Sequence, residues 1–450
     1  MKIDQLISPL DNRYSDEILE LSEIFSESNL NKTRFIIELE WLIFICSSCG
    51  KSFPDLSKNA VTNLRKLKKK FNKNSAKKIK TIEKKTNHDV KAVEYFIREQ
   101  IKTIPSLKNY SHLVHFGLTS EDVNSLSYAV LLKEARNVYT KNLTQIIKLL
   151  SKLSKSWSNI PILSRTHGQP ASPSTLGKEI NVFTKRLIRQ KANLNSIVIM
   201  AKFGGTTGNF HTLHLSDNKI DWVKKTEKFI KLFKVNQNPI TTQIEPHDCI
   251  AELTHSIQRI NNILIDLNQD IWLYIANDIF KLKLNNKEIG SSTMPHKVNP
   301  INFENSEGNL GISNSMMVFF AEKLTKSRLQ RDLSDSTVLR NLGVGIAYSY
   351  LGISSSIKGL NKIKPNIKKA NHELNLNWQV LTEAIQIIMK LEGVDNAYEL
   401  IKKQTHGSNL NRSDYFLLID GLNISEESKI KLKNLSPSSY LGIASRLAKS

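Results

Sequence analysis

The segment Gly290 to Pro300, GSSTMPHKVNP, places two hydroxyls, an ammonium and an amide within one turn-rich stretch. A serine removes a proton from carbon only if its alkoxide is stabilised. A nearby ammonium and loop N–H groups supply that stabilisation where water is excluded. Ser291 and Ser292 are therefore candidate bases, with Lys297 and Asn299 beside them. Gly290 offers a hinge and Pro295 and Pro300 limit the conformations, a combination that suits a lid.

A second stretch, SRTHGQPASPSTLGKE from Ser164 to Glu179, sets His167 among Thr166, Gly168 and Gln169 just before a helix. An imidazole there can face a ligand and is the natural acid for a departing nitrogen near neutral pH. Glu304 could orient it, but only folding can bring the two together. In HFGLTSEDVN, Thr119, Ser120, Glu121 and Asp122 taken alone read strongly as an ordinary helix start with acids in its first turn, yet the same helix end binds carboxylates well. In RDLSDSTVLRN, Arg331, Ser336 and Arg340 combine guanidinium forks with a hydroxyl, a set that satisfies phosphate oxygens.

The elements that position these groups read as long helices. Ile257, Ile260, Leu264, Leu267, Ile271 and Tyr274 follow steps of three and four, one apolar seam of a bundle helix. Stretches poor in Gly and Pro predict further helices over about 121–157, 175–200, 302–324 and 338–363. With no alternating strand series and no βαβ pattern, the expected class is all-α, with a central long-helix bundle. The chemistry-capable residues fall in the polar connections SRTHGQPASPS, KFGGTTGNFH, NQNPITTQIEPHD and EIGSSTMPHKVNPIN. Three helical domains are expected, over 1–111, 112–365 and 366–450, the last division falling at Lys364-Pro365.

Composition narrows the rest. The N-terminus carries acids early and has no apolar core segment, which argues against a secretory signal and for a chain starting near Met1. Phe35 to Cys46 is the most apolar run, but Glu38 and Glu40 break it and it is too short for a membrane span. Cys46, Cys49 and Cys249 are too few for a disulfide scaffold and suit a reducing cytoplasm. The Cys46/Cys49, His211/His214 and His247/Cys249 pairs lack further ligands at metal spacing, so no metal is expected. The formal net charge of +22 fits nucleic acid, an anionic surface or an anionic small substrate. Its Lys runs, such as 66–70, have no aromatics interleaved, so they read as solvated helix faces and neither a nucleic acid nor a membrane partner is expected.

GSSTMPHKVNP resembles the signature loop of the fumarase and aspartase superfamily. DNRY, KTIEKKTNHDVKAVEY, HFGLTSED, RTHGQPASPSTLGKE, TTQIEPHD, GSSTMPHKVNPINFENSEGN and RDLSDSTVLRN are similar, in order, to motifs of the bacterial adenylosuccinate lyase family. The resemblance implies a helical homotetramer with active sites shared between subunits. It implies a cytoplasmic enzyme without cofactor that eliminates fumarate from anionic purine nucleotides. Ser291 would be the base, His167 the acid, Glu304 its partner, and Lys297, with His88, would complete the catalytic set. Arg13, Tyr14, Arg331, Ser336, Thr337, Val338, Leu339 and Arg340 would hold the nucleotide and phosphate, and Asn87, His88 and Asp89 the nucleotide and reacting region. Thr119, Ser120, Gln243, Ser292, Lys297, Val298, Asn299 and Asn305 would complete the succinyl end.

Two positions depart from the family pattern. Asn12 stands where Gly usually precedes Arg-Tyr, a change tolerable if the turn needs a positive φ. Gly117-Leu118 stand where Ala-Cys is frequent, which bears on packing near the carboxylate pocket. Within the superfamily, His296 favours adenylosuccinate lyases over fumarases, which show Gly there, and argininosuccinate lyases, which show Gln. A non-catalytic basic binding protein on the same scaffold is the rival from another class, and the intact reacting groups argue against it.

Overall fold

The computed structural model describes residues 6–283, 294, 296–405, 407 and 409–450. Ser291, Ser292 and Pro295 lie outside the described residues. The architecture is mostly helical, built on α1 (Glu27–Ser48), α2 (Lys73–Thr86), α3 (Asp89–Lys102), α4 (Ser120–Ser156), α5 (Leu176–Ser196), α6 (Asp248–Ala276), α7 (Ile301–Leu324), α8 (Ser334–Leu339) and α9 (Leu342–Lys362), with shorter helices toward the C-terminus. Among the described residues no helix is long and apolar enough to cross a membrane.

The seam is where periodicity placed it: Ile257, Ile260, Leu264, Leu267 and Ile271 of α6 are buried, and Tyr274 is half-buried. The helix expected over 338–363 is divided. α8 ends at Leu339, Arg340 and Asn341 turn, and α9 begins at Leu342. No Gly or Pro marks the break, so composition gave no warning of it.

The chain packs into two compact units. One comprises 1–142, 191–261 and 309–351, and the other 143–190, 262–308 and 352–450. In the first, Trp41 packs edge-on against Phe203 and Phe229, each ring centroid 5.0 Å away, and its indole donates to the Phe116 carbonyl at 2.9 Å. In the second, Leu374, Trp378, Leu381, Ile385, Tyr415, Ile419 and Leu432 form a core that also takes in Leu163.

Each unit also contains a buried polar layer where helices α6, α7 and α9 meet. In the first, the Asn261 amide donates to Ser313 at 3.1 Å and its oxygen accepts from Ser349, which pairs with Tyr139 at 2.9 Å. In the second, the Asn268 amide donates to Ser306 at 2.9 Å and its oxygen accepts from Ser356 at 3.0 Å. Asn261 and Asn268, Ser306 and Ser313, and Ser349 and Ser356 are each one heptad apart. A buried amide needing specific partners penalises sliding of these helices, so the layers fix register.

The stretch read as a connection before a helix is a β-hairpin. β1 (Pro161–Thr166) pairs antiparallel with β2 (Gln169–Thr175), and α5 follows directly. Two further short ladders form separately, Met200–Ala201 with Asn236–Gln237 and Phe280–Leu282 with Ile363–Pro365. Pro170 and Pro173 hid the hairpin, yet an isolated two-stranded ribbon consists only of edge strands, where proline is tolerated.

Candidate active site

The helix junction around Asn87 organises the first group of predicted residues. Asn87 ends α2 at φ 50°, a left-handed conformation that asparagine adopts more readily than most residues. The resulting turn lets His88 cap α3, its Nδ1 accepting from the Lys91 N–H at 3.2 Å. Asp89 then begins α3 with Oδ1 accepting from the Val90 N–H at 2.8 Å. Its Oδ2 accepts from two guanidiniums, Arg34 at 2.9 Å and Arg340 at 2.8 Å.

These two arginines differ in kind. Arg34 is buried and spends its other donors on Asn124 at 2.9 Å and Asn31 at 3.2 Å, so it is a structural cation. Arg340 is 41% exposed and keeps the rest of its fork at the surface. Burial alone would raise the Asp89 pKa, but Arg34, the Val90 N–H and Arg340 outweigh it and hold the carboxyl below its ordinary range.

Arg331 is set differently. Its Nη1 donates to Gln243 Oε1 at 2.9 Å and its Nη2 pairs with Glu121 Oε2 at 3.1 Å. Gln243 in turn donates to the Thr206 carbonyl at 3.0 Å. Ser336 is half-buried and Thr337 exposed, whereas Val338 and Leu339 turn their side chains into the core. Arg13 is exposed, 5.7 Å from the ring centroid of Tyr14.

Thr119 and Ser120 sit at the start of α4, half-buried. Asp122 Oδ2 accepts from the Thr119 N–H at 2.8 Å, half of a capping box, so the helix-start reading holds in part. The acids are more than partners of a helix dipole. Asp122 and Lys202 are both completely buried and joined at 2.7 Å, and the same ammonium donates to the Gly205 carbonyl at 2.7 Å. The Gly205 N–H completes the knot on Asp122 at 3.2 Å. Gly117, at φ 72°, holds a backbone conformation that L side chains rarely adopt, and a Cβ there would also lie 2.3 Å from Leu213 Cδ2. Asn12, by contrast, has φ −130°, so that turn makes no demand for glycine.

In the second unit His167 occupies the tip of the hairpin. Thr166 pairs with Gln169, leaving His167 at φ 53° and Gly168 at φ 76° as a two-residue loop. Two left-handed residues in succession match the right-handed twist of a hairpin and suit a type I′ turn. Histidine is one of the few non-glycine residues enriched in that conformation. Leu163 ties the hairpin into the core, and Arg165 pairs with Glu373 and reaches the Gly168 carbonyl at 3.4 Å. The imidazole is thus exposed on a braced arm.

Glu304 lies in the first turn of α7, exposed, and accepts from the Trp272 indole at 3.2 Å. Among the described residues no hydrogen bond or ion pair joins it to His167 within one chain. Asn305 accepts from Ser355 at 2.7 Å. Lys297 and Val298 are exposed and Asn299 half-buried. The cysteines are free and buried, and burial pushes their thiols up, to about 11 for Cys46 and Cys49 and about 12 for Cys249.

Residue-by-residue reading names none of the ion-pair residues Arg34, Lys202, Glu245 and Asp335, weighs His247 only as half of a metal pair with Cys249, and does not see the ion pairs of Glu121 and Asp122. Glu121 and Asp122 are marked in the sequence by their helix start. A lone lysine after the apolar run IVIMA offers no comparable signal.

Residues 12–312 match a family described as lyase, and residues 327–441 one described as adenylosuccinate lyase C-terminal. The chain is 46% identical over 440 residues to adenylosuccinate lyase of Escherichia coli (strain K12), covering 97% of this chain and 96% of that one. It is also 46% identical over 445 residues to adenylosuccinate lyase of Vibrio cholerae, covering 98% and 97%. Among solved structures, fumarate lyase from Mesorhizobium sp. BNC1 superposes with a TM-score of 0.77 at 14% identity, over 95% of this chain and 96% of that one. The 3-carboxy-cis,cis-muconate lactonizing enzyme from Pseudomonas putida gives 0.75 at 18%, over 95% and 94%. At those identities the likeness concerns the fold, which is that of the fumarate lyases.

Proposed function

The chain belongs to the adenylosuccinate lyase family of the fumarase and aspartase superfamily, and from that membership we propose how its own residues carry the reaction. It is a carbon–nitrogen lyase of purine nucleotide synthesis that cleaves adenylosuccinate to AMP and fumarate. The same elimination acts on the succinyl derivative of aminoimidazole carboxamide ribotide. The single observation that carries this reading is the near full-length identity of 46%.

Ser291 takes the proton from the succinyl β-carbon, and the electron pair moves into the adjacent carboxylate as an aci-carboxylate. Lys297, Asn299 and loop N–H groups stabilise that charge. The carbon–nitrogen bond then breaks, the double bond of fumarate forms, and the departing nitrogen takes its pair and a proton from His167. An acid that must reach a leaving group benefits from a fixed, outward-facing mount, and the type I′ hairpin tip supplies one. Arg340 and Arg331, with Ser336, Arg13 and Tyr14, hold the nucleotide and its phosphate, and His88 and Asn87 line the reacting region. Thr119, Ser120 and Gln243 hold the succinyl end. The reaction needs no cofactor.

We further propose that the active unit is a cytoplasmic homotetramer with sites shared between subunits, with the three domains 1–111, 112–365 and 366–450. Exposure of both His167 and Glu304, with Glu304 bonded to Trp272 instead, supports an acid and an orienting carboxylate that meet only across subunits. Purified protein given adenylosuccinate and followed by absorbance tests the roles. His167→Ala should lose most turnover and retain substrate binding. Near-normal turnover would remove His167 from the mechanism.

A further inference from the structure

Behind Arg331 lies a group of ionisable side chains that the reaction itself does not use. Glu121, Asp335, Glu245 and His247 are all buried, with side-chain exposures of 2%, 5%, 3% and 4%. Arg331 reaches them at 17% exposure, 3.1 Å from Glu121 Oε2 and 4.0 Å from Asp335 Oδ1. His247 stands 3.9 Å from Asp335 Oδ2 and 3.7 Å from Glu245 Oε2. Its backbone is left-handed, at φ 65°, and its N–H donates to Glu245 at 2.7 Å.

The pattern of satisfaction is informative. Glu121 Oε1, Arg331 Nε, Asp335 Oδ2 and His247 Nε2 are buried and have no hydrogen-bond partner among the described residues. Burying charges with atoms left over costs stability, and apolar side chains of the same size would often do as well or better. Stability alone therefore does not account for the cluster. The bonds that are made point the same way: Nη2 to Glu121 and Nη1 to Gln243 lock both ends of the Arg331 fork.

We propose that Glu121 is a positioning residue for Arg331. Its carboxylate fixes the guanidinium from the buried side, so that the fork faces a nucleotide anion in one orientation, while Asp335 and His247 close the space behind. This makes the acid of the TSED stretch a second support of the anion site, beside the clamp of Asp89 on Arg340. The proposal rests on the reading of Arg331 as a nucleotide ligand.

The test uses the full-length enzyme, with KM for adenylosuccinate, kcat and Kd for AMP as readouts. Glu121→Leu should raise KM and the Kd for AMP about tenfold, which corresponds to about 1.4 kcal/mol, with kcat changed far less. Glu121→Gln keeps an acceptor for Nη2 and should recover most of the affinity. In an Arg331→Met background neither change should weaken binding further, because residues acting through one group are not additive. If Arg331→Met alone leaves KM and Kd unchanged, the reading of Arg331 fails. If Arg331→Met weakens binding but Glu121→Leu does not, or the two effects multiply, the positioning role is overturned. Should Glu121→Leu fail to fold, the same comparison with Glu121→Gln decides, its smaller loss vanishing in the Arg331→Met background if the proposal holds.

Discussion

Replacing Lys202 by methionine removes one half of an ion pair that has no access to water. Lys202 and Asp122 are both 0% exposed and 2.7 Å apart. At an effective dielectric of about 20 their attraction is about 6 kcal/mol, most of which offsets the cost of burying the two charges. The intact pair therefore adds little net stability, whereas breaking it leaves a buried carboxylate without its cation. Such losses run to about 3–5 kcal/mol. Asp122 keeps the N–H groups of Thr119 and Gly205, which places the change near the lower end. For a 450-residue chain melting as a whole, an unfolding entropy of about 2.1 cal/mol/K per residue turns about 3 kcal/mol into a fall in Tm of about 3 °C. Scanning calorimetry at neutral pH reads it. Adding Asp122→Asn to Lys202→Met removes the stranded charge and should recover at least half of the loss. A Lys202→Met protein melting within 1 °C of the parent would refute the reasoning, because a dry ion pair cannot lose one partner silently.

Other outcomes follow from neighbouring contacts. His115 pairs with Glu38 at 2.5 Å; burial opposes its charge, but Glu38, together with the Glu94 and Asp122 carboxylates, outweighs burial and raises the imidazole pKa. A raised folded pKa gives stability that is complete below the unfolded value near 6.5 and is lost as pH rises through the folded value. The Tm difference between the parent and His115→Asn should therefore be larger at pH 6 than at pH 9, and a difference that grows with pH would contradict the pairing. Gly117→Ala places a Cβ 2.3 Å from Leu213 at φ 72° and should cost about 2 kcal/mol in denaturant titration. Arg340→Ala should raise KM far more than it lowers kcat, and unchanged affinity for AMP would contradict its phosphate role.

The long helices were legible because burial against neighbours imposes a period on the residues themselves, and Ile257 to Ile271 show that period without help from context. The hairpin of His167 was not legible. Its strands carry Pro170 and Pro173 and little alternation, and His-Gly is a rarer spelling of a type I′ turn than Asn-Gly. The break at Arg340 and Asn341 has no local marker either, since no Gly or Pro stands there.

The reacting groups could be nominated from type and neighbourhood, because bases, acids and anion binders need particular functional groups in polar turns. The ion pairs packed around them could not. Lys202 lies 80 positions from Asp122, and Arg340 lies 251 from Asp89. An ion pair leaves no trace in the spacing of either partner, and only the fold decides whether an acid at a helix start faces water or a buried cation. Ser291 and Ser292 remain assigned through resemblance.

In the proposed mechanism a serine base and a histidine acid from different subunits serve one elimination. Mixing Ser291→Ala with His167→Ala, each nearly inactive alone, and assaying adenylosuccinate cleavage after native mass spectrometry confirms mixed tetramers tests it directly. Activity should rise well above that of either parent, because some hybrid sites then contain both intact groups. Activity that stays at the parental level in confirmed hybrids would contradict it.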